Sequence, residues 1–333
     1  MKRAGIWLYI TGALAGIMIL IAVLFQAQSK KADSYSKRVT FIAALASKGH
    51  WGRIANSLII EGKKSEISVK CLAQTDLALE KVVDNFEIAV NAEPDGIISY
   101  GLSNSERFKE CLENAGKKGI PVILVDSDID TEQKLCYVGT DNYKSGELLG
   151  NRMKEECEEK GEILCIVSDK KIFNQQERIR GFQDAISECP QMKIADILEC
   201  QSNKILGKMN IIDALKKNPQ IKGIFCAEGT GTYACSQLME QWENDCKKNI
   251  HVLGYDFNNI VKNAIEKGYI NGTIQQDSKK MGELAMNIMQ EYLENGIIPE
   301  KEIYTDILLI DKNNLNQAEK IGYELVDVPW HFY

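Results

Sequence analysis

The chain has 333 residues, with 40 Lys and Arg against 47 Asp and Glu and a formal net charge of -7. An apolar fraction of 44% and a charged fraction of 26% are those of a globular protein rather than a disordered one, and no basic field is available to hold nucleic acid. Ten cysteines in this length are too sparse for a disulfide scaffold.

Lys2 and Arg3 precede an uncharged run from Ala4 to Phe25, about the length of one membrane span. It exceeds a typical signal-peptide core, no small-x-small cleavage site follows, and the first cysteine is Cys71, so no lipobox is present. Residues 1–25 therefore read as an N-terminal transmembrane anchor, with an uncleaved anchor favoured over a cleaved signal. Lys2 and Arg3 favour a cytoplasmic N-terminus, but Lys30, Lys31, Lys37 and Arg38 flank the other side. Charge alone leaves the orientation open. Residues 26–37 are polar and Lys/Ser-rich and read as a linker.

From Arg38 onward strand-like and helix-like segments alternate. Val39 to Leu45 reads as a buried strand and His50 to Lys64 has helical spacing. Ile67 to Leu72 and Thr75 to Asn91 repeat the pattern, with Thr75 or Asp76 as the expected helix cap. Gly96 to Tyr100 is a strand, Asn104 to Lys117 a helix and Pro121 to Val125 a strand. A second series places strands near 162–168, 193–199, 223–227 and 250–255, and helices near 143–160, 174–188, 202–217, 231–243 and 258–268. Thr273 to Gln275 and Tyr304 to Ile310 add extended stretches around a long helix, Lys279 to Asn295. Repeated βα units predict an α/β fold of two doubly wound, parallel-sheet domains.

Cys165 and Cys226 fall in mid-strand, where a thiol acts as a small buried hydrophobe. Cys189, Cys200 and Cys246 lie near element ends and could pair. The three histidines, His50, His251 and His331, show no metal-ligand spacing, and no G-x-S-x-G or P-loop motif occurs. One dinucleotide-like motif is present. Gly229-Thr230-Gly231-Thr232-Tyr233-Ala234 fits G-x-G-x-x-[GA], follows a strand and opens a helix, with Asp256 ending the next strand. Glu228 directly before it would repel a pyrophosphate, and Asp256 is farther along than the usual spacing of about 20 residues. A glycine-rich helix start lining a cleft is the plainer reading, and no cofactor is called for.

Polar groups also recur at strand ends. Asp126, Arg178, Asp256 and Gln276 supply carboxylate, guanidinium and amide groups, which suit a polyhydroxyl ligand whose hydroxyls both donate and accept. His50 and Trp51 open the first helix, and a flat aromatic ring there can pack on the apolar face of a sugar. Taken singly, Trp51 reads as core packing, Asp126 and Asp256 as capping residues, and Arg178 as one half of a surface ion pair.

From about Arg38 to Asp311 the chain resembles the type I periplasmic sugar-binding proteins, in their ribose-binding-like branch, whose fold also forms the core of LacI-type repressors. The residues that carry the likeness are Pro94-Asp95-Gly96-Ile97-Ile98, Gly119 through Asp126, Val138-Gly139-Thr140-Asp141-Asn142 and Gly146. They continue with Arg178-Ile179-Arg180-Gly181-Phe182, Gly254-Tyr255-Asp256, Gly272 through Asp277 and Met281-Gly282. The resemblance implies two lobes joined by three crossovers, with ligand in the cleft. The first lobe would be 38–140 plus 277–301, the second 141–276 plus 302–312, and 313–333 a tail. Carried over by motif, the ligand-binding positions fall on His50, Trp51, Asp126, Arg178, Asp256 and Gln276. Substituting Arg178 or Asp256 is then expected to abolish binding and spare the fold.

The chain departs from the family at Ser127, where pentose binders have arginine, at Gly229-Thr230, where Asn-Asp is common, and at Lys48, which replaces an asparagine. These four positions are further ligand-contact candidates that leave the ligand's identity open. The function implied is an extracytoplasmic solute-binding protein that holds a small polar molecule, foremost a carbohydrate, and hands it to an ABC permease. A membrane sensor kinase is the alternative partner. The binding domain then lies on the outer face of a bacterial cell membrane, tethered by the N-terminal helix, or is released there if that helix is cleaved. A LacI-type regulator would need a DNA-binding segment where the apolar run stands, and no catalysis is expected.

Overall fold

The computed structural model describes residues 35–47, 49–242, 250–318 and 330–331. The expected anchor and nearly all of the linker, Lys48, Cys246 and most of the tail lie outside the described residues. No described helix is long and apolar enough to cross a membrane.

The first sheet is built from β1 (Lys37–Ile42), β2 (Ile67–Leu72), β3 (Gly96–Ser99), β4 (Val122–Val125) and β5 (Cys136–Gly139) in the order 2-1-3-4-5. All pairings are parallel. β3, β4 and β5 are buried at every position, because helices cover both faces of a parallel sheet. On one face lie α1 (His50–Lys64) and the much later helix Ser278–Asn295, whose Ile54, Leu58, Met281 and Met286 form a common core. On the other, α2 (Leu79–Asn91) and α3 (Glu106–Lys117) bury Val82, Phe86, Phe108 and Leu112.

The second lobe repeats this plan. α4 (Asn142–Glu156) leads to β6 (Lys160–Val167), α5 (Phe173–Ser187), β7 (Gln191–Glu199), α6 (Lys204–Lys217), β8 (Ile221–Cys226), α7 (Gly229–Trp242), β9 (His251–Tyr255), α8 (Asn259–Lys267) and β10 (Gly272–Gln276). The strand order is 7-6-8-9-10. The chain then returns to the first lobe through α9 (Ser278–Asn295) and β11 (Glu302–Tyr304), and crosses back for β12 (Ile307–Ile310), the antiparallel edge of the second sheet. After a short α10 (Leu315–Ala318), β13 (Trp330–His331) pairs in parallel with β2.

Two boundaries and one pairing differ from what the sequence suggests. Glu302–Tyr304 pairs with β5, so it belongs with the first sheet rather than the second lobe; a three-residue, largely exposed strand carries no periodicity that names its partner. The second helix starts at Leu79, not Thr75. Its N-cap position is Ala78, and Asp76 instead forms an exposed ion pair with Lys81 at 2.9 Å. Cys189 and Cys200 are free, buried thiols, as are all nine described cysteines.

The three crossovers are tied to one another. Thr140 Oγ1 donates to Gln276 Oε1 at 3.0 Å, and Thr305 N donates to Gly139 O at 2.8 Å. Both sheets reverse strand order between their first and third strands, so the carboxyl ends of both face a shared crevice, the ligand position in open α/β sheets.

Candidate ligand-binding site

A cavity of about 440 Å³ lies between the lobes, within the range of small-molecule sites. His50, Trp51, Asp126, Arg178, Asp256 and Gln276 all line it, as do Gly229 and Thr230. Ser127 does not. It is fully buried behind the wall, because its N–H turns back to Val125 O at 2.8 Å while Asp126 alone faces the opening.

Asp126 and Asp256 occupy equivalent places, one per lobe, each directly after the fourth strand. Neither caps a helix. Both take left-handed backbone angles, φ 69° and 65°, a conformation that Asp tolerates better than most residues at a cost of about 1 kcal/mol. Each amide is held by the neighbouring strand, Asp126 N by Val138 O at 3.1 Å and Asp256 N by Ile274 O at 2.8 Å. The sheet edge thus fixes a strained turn that aims each carboxylate into the cavity.

In the first lobe His50 Nε2 meets Asp126 Oδ1 at 2.7 Å, and Ser278 Oγ meets His50 Nδ1 at 2.7 Å. His50 is thereby oriented from α9. Trp51 is half-buried, with edge contacts to His50 at 5.1 Å and to Tyr100 at 5.5 Å between ring centroids. Burial pushes the Tyr100 hydroxyl's pKa well above its ordinary value, and the Asp126 charge adds to this.

Arg178 is 3% exposed and has no carboxylate partner among the described residues. Its Nε donates to Asn142 Oδ1 at 2.8 Å, Nη1 to Ala227 O at 3.0 Å and Nη2 to Gln276 Oε1 at 2.8 Å. Its guanidinium lies 4.0 Å from the centre of the Tyr255 ring, and the Tyr255 hydroxyl meets Ser145 Oγ at 2.6 Å. Gln276 completes the chain by donating to Asp256 Oδ1 at 3.1 Å. Three bonds leave two of the five guanidinium N–H groups for a ligand. The close approach of α4 and α5 sets this arginine. A Cβ on Gly146 would stand 2.1 Å from Arg178 O, and one on Gly181 2.0 Å from Tyr143 O.

Three cavity groups escape the sequence reading. Asn174 opens α5 one turn before Arg178 and is 5% exposed. It reaches across the cleft to donate to Asp126 Oδ2 at 2.9 Å, while its own Oδ1 is buried without a partner. The spacing Asn174-x-x-x-Arg178 puts both on one helix face and is the signal that finds it. Glu228 does not point outward against a phosphate. Its carboxylate accepts from Thr230 N at 2.7 Å and from Gly231 N, capping α7 with its own side chain. Burial pushes the Glu228 pKa upward against these donors. The helix start that a dinucleotide needs is therefore filled. Tyr233 is the third, with Lys204 Nζ 3.9 Å from its ring centre.

A model of the periplasmic binding protein domain matches residues 39–297. The D-apiose import binding protein of Actinobacillus succinogenes is 24% identical over 214 residues, 63% of this chain and 68% of that one. The D-allose-binding periplasmic protein of Escherichia coli K12 is 22% identical over 312 residues, 91% of this chain and 96% of the relative. Among solved structures, the glucose-galactose binding protein GanP of Geobacillus stearothermophilus superposes with a TM-score of 0.78 at 24% identity, over 84% of this chain and 98% of its own. The domain match spans well over half of the sequence, and two lobes of matching topology enclose one polar cleft: the chain belongs to the periplasmic binding protein family.

Proposed function

We propose that this protein is an extracytoplasmic solute-binding protein that captures a sugar between its lobes and presents it to an ABC importer, without catalysing a reaction. One observation carries the reading. Asp126 from the first lobe, Arg178 and Asp256 from the second and Gln276 at a crossover converge on a single cavity whose wall includes Trp51. Carboxylates that accept, a guanidinium that donates and a flat ring together match a polyol with one apolar face. Relatives named for D-apiose import and D-allose binding support the carbohydrate class.

Ligand touching both lobes stabilises the closed arrangement, and closure is hinge bending at the crossovers. Binding only to the folded state raises the melting temperature by mass action. A thermal-shift panel of pentoses, hexoses, disaccharides, polyols and sugar acids should therefore give a concentration-dependent rise for one group of saccharides. A flat response to every saccharide overturns the proposal. The uncharged run Ala4–Phe25, with no lipobox cysteine after it, supports a second reading in which the tethered protein reports occupancy to a membrane sensor kinase. A kinase rather than a permease and ATPase among the genomic neighbours would favour it.

A further inference from the structure

We infer that the ligand of this cleft carries an anionic group, carboxylate or phosphate, at the end facing Arg53 and Lys204: a sugar acid or sugar phosphate rather than a neutral sugar. This rests on the cleft being the sugar site.

Arg53 stands in the first turn of α1 and Lys204 begins α6, so the two belong to opposite lobes, yet both line the cavity. Three arginines outside the cleft each hold carboxylates. Arg107 touches Glu80, Asp84 and Glu87, Arg152 touches Glu155, Glu156 and Asp311, and Arg180 touches Glu177. Among the described residues no carboxylate lies within 4 Å of Arg53 or Lys204. Lys204 rests instead on the Tyr233 ring. The amino end of α1, at Gly49 and His50, borders the same cavity without a side-chain cap, and its dipole adds positive potential there.

The cleft's acids each have donors of their own within the protein, away from Arg53 and Lys204. Asp126 is held by His50 and Asn174, Asp256 by Gln276, and Glu228 by its own helix and the Cys200 thiol. The unpartnered Asn174 Oδ1 calls for a hydroxyl donor beside Asp126. The cavity thus offers donors and acceptors for hydroxyls at Asp126, Arg178 and Asp256, and two cations, Arg53 and Lys204, that form no ion pair among the described residues. Arginine and lysine both bind carboxylate or phosphate, and with one on each lobe they would draw an anionic ligand into contact with both lobes.

The test is calorimetric titration of the purified full chain with matched sets: glucose, glucuronate and glucose 6-phosphate; galactose and galacturonate; ribose, ribonate and ribose 5-phosphate. In at least one set a charged member should bind ten-fold or more tighter than its neutral parent in low salt. The gap should shrink in 0.5 M salt, where screening falls to a few ångströms, about 3–8 Å. The carboxylate and phosphate arms distinguish the two sources of charge. Arg53→Gln with Lys204→Gln should bring parent and charged member to equal affinity, with circular dichroism confirming the fold. A neutral parent that binds as tightly as its charged partners overturns the inference and leaves the sugar site standing. Charge preference that survives the double variant also overturns it, since the anion is then held elsewhere. Failure of every probe overturns both this inference and the sugar reading.

Discussion

Arg178→Met tests the wiring of the second lobe. Methionine keeps an unbranched stem over Tyr255 but donates no hydrogen bond. Two buried acceptors, Asn142 Oδ1 and Ala227 O, then lose their guanidinium donor, whereas Gln276 Oε1 keeps Thr140. An orphaned buried acceptor costs about 1–3 kcal/mol, so the variant should lose roughly 2–6 kcal/mol, a large share of the usual 5–15 kcal/mol. The melting temperature of the unliganded protein should fall by on the order of 10 °C. The sequence alone suggests that substituting Arg178 spares the fold; the structure assigns it a second duty inside the lobe. Urea unfolding followed by circular dichroism measures this directly. An unchanged midpoint at unchanged slope would refute the accounting and leave Arg178 as a ligand contact only.

Asn174→Asp sets a second carboxylate against Asp126 Oδ2 and should weaken saccharide binding at least ten-fold, about 1.4 kcal/mol, by calorimetry; unchanged affinity would remove Asn174 from the closed cleft. Gly181→Ala would force α4 and α5 apart and should lower stability by about 1–3 kcal/mol, seen as a lower urea midpoint, whereas an unaltered midpoint would show that the helices accommodate the methyl. Glu228 has a raised pKa in the fold, so folding takes up a proton between the ordinary carboxylate value and the raised one, and the group's contribution to stability declines as pH rises through that window. Relative to wild type, Glu228→Gln should therefore gain stability as pH rises above the ordinary carboxylate range; parallel pH profiles would contradict this. Burial pushes the Cys71 and Cys136 thiols up to about 12, and all nine described cysteines are buried. Ellman's reagent should therefore label at most one thiol in the native chain and all ten in denaturant, and two or more native thiols would count against this packing.

The cleft positions were legible where a short polar motif ends an apolar run. Asp126 and Asp256 follow strands that bury every neighbour, and parallel sheets deliver such residues to one crevice. Arg178 and Gln276 were legible through their motifs, but not their bond to each other, which depends on how a helix and a crossover meet. Asn174 is marked locally only by its spacing from Arg178 on one helix face; its partner Asp126, 48 residues away in the other lobe, is not readable from the sequence. The sequence shows Glu228 as an acid set against a pyrophosphate; that its carboxylate folds back onto Thr230 and Gly231 is visible only in the structure. Ser127 is a candidate only through the family pattern, where pentose binders carry arginine; the left-handed turn at Asp126 sends Ser127 N back to Val125 O and buries the residue behind the cavity wall. The strand Glu302–Tyr304 was too short for its pattern to choose a sheet.

β13 gives the fold a mechanical asymmetry. It lies against β2 at the outer edge of the first sheet, and β1, the first described strand, sits next to β2 on its other side. The first and last described strands therefore belong to one lobe. A tether at either end holds that lobe still and leaves the other as the swinging jaw. Under the proposed hinge closure, the displacement would then be carried by the second lobe and read against a stationary first lobe.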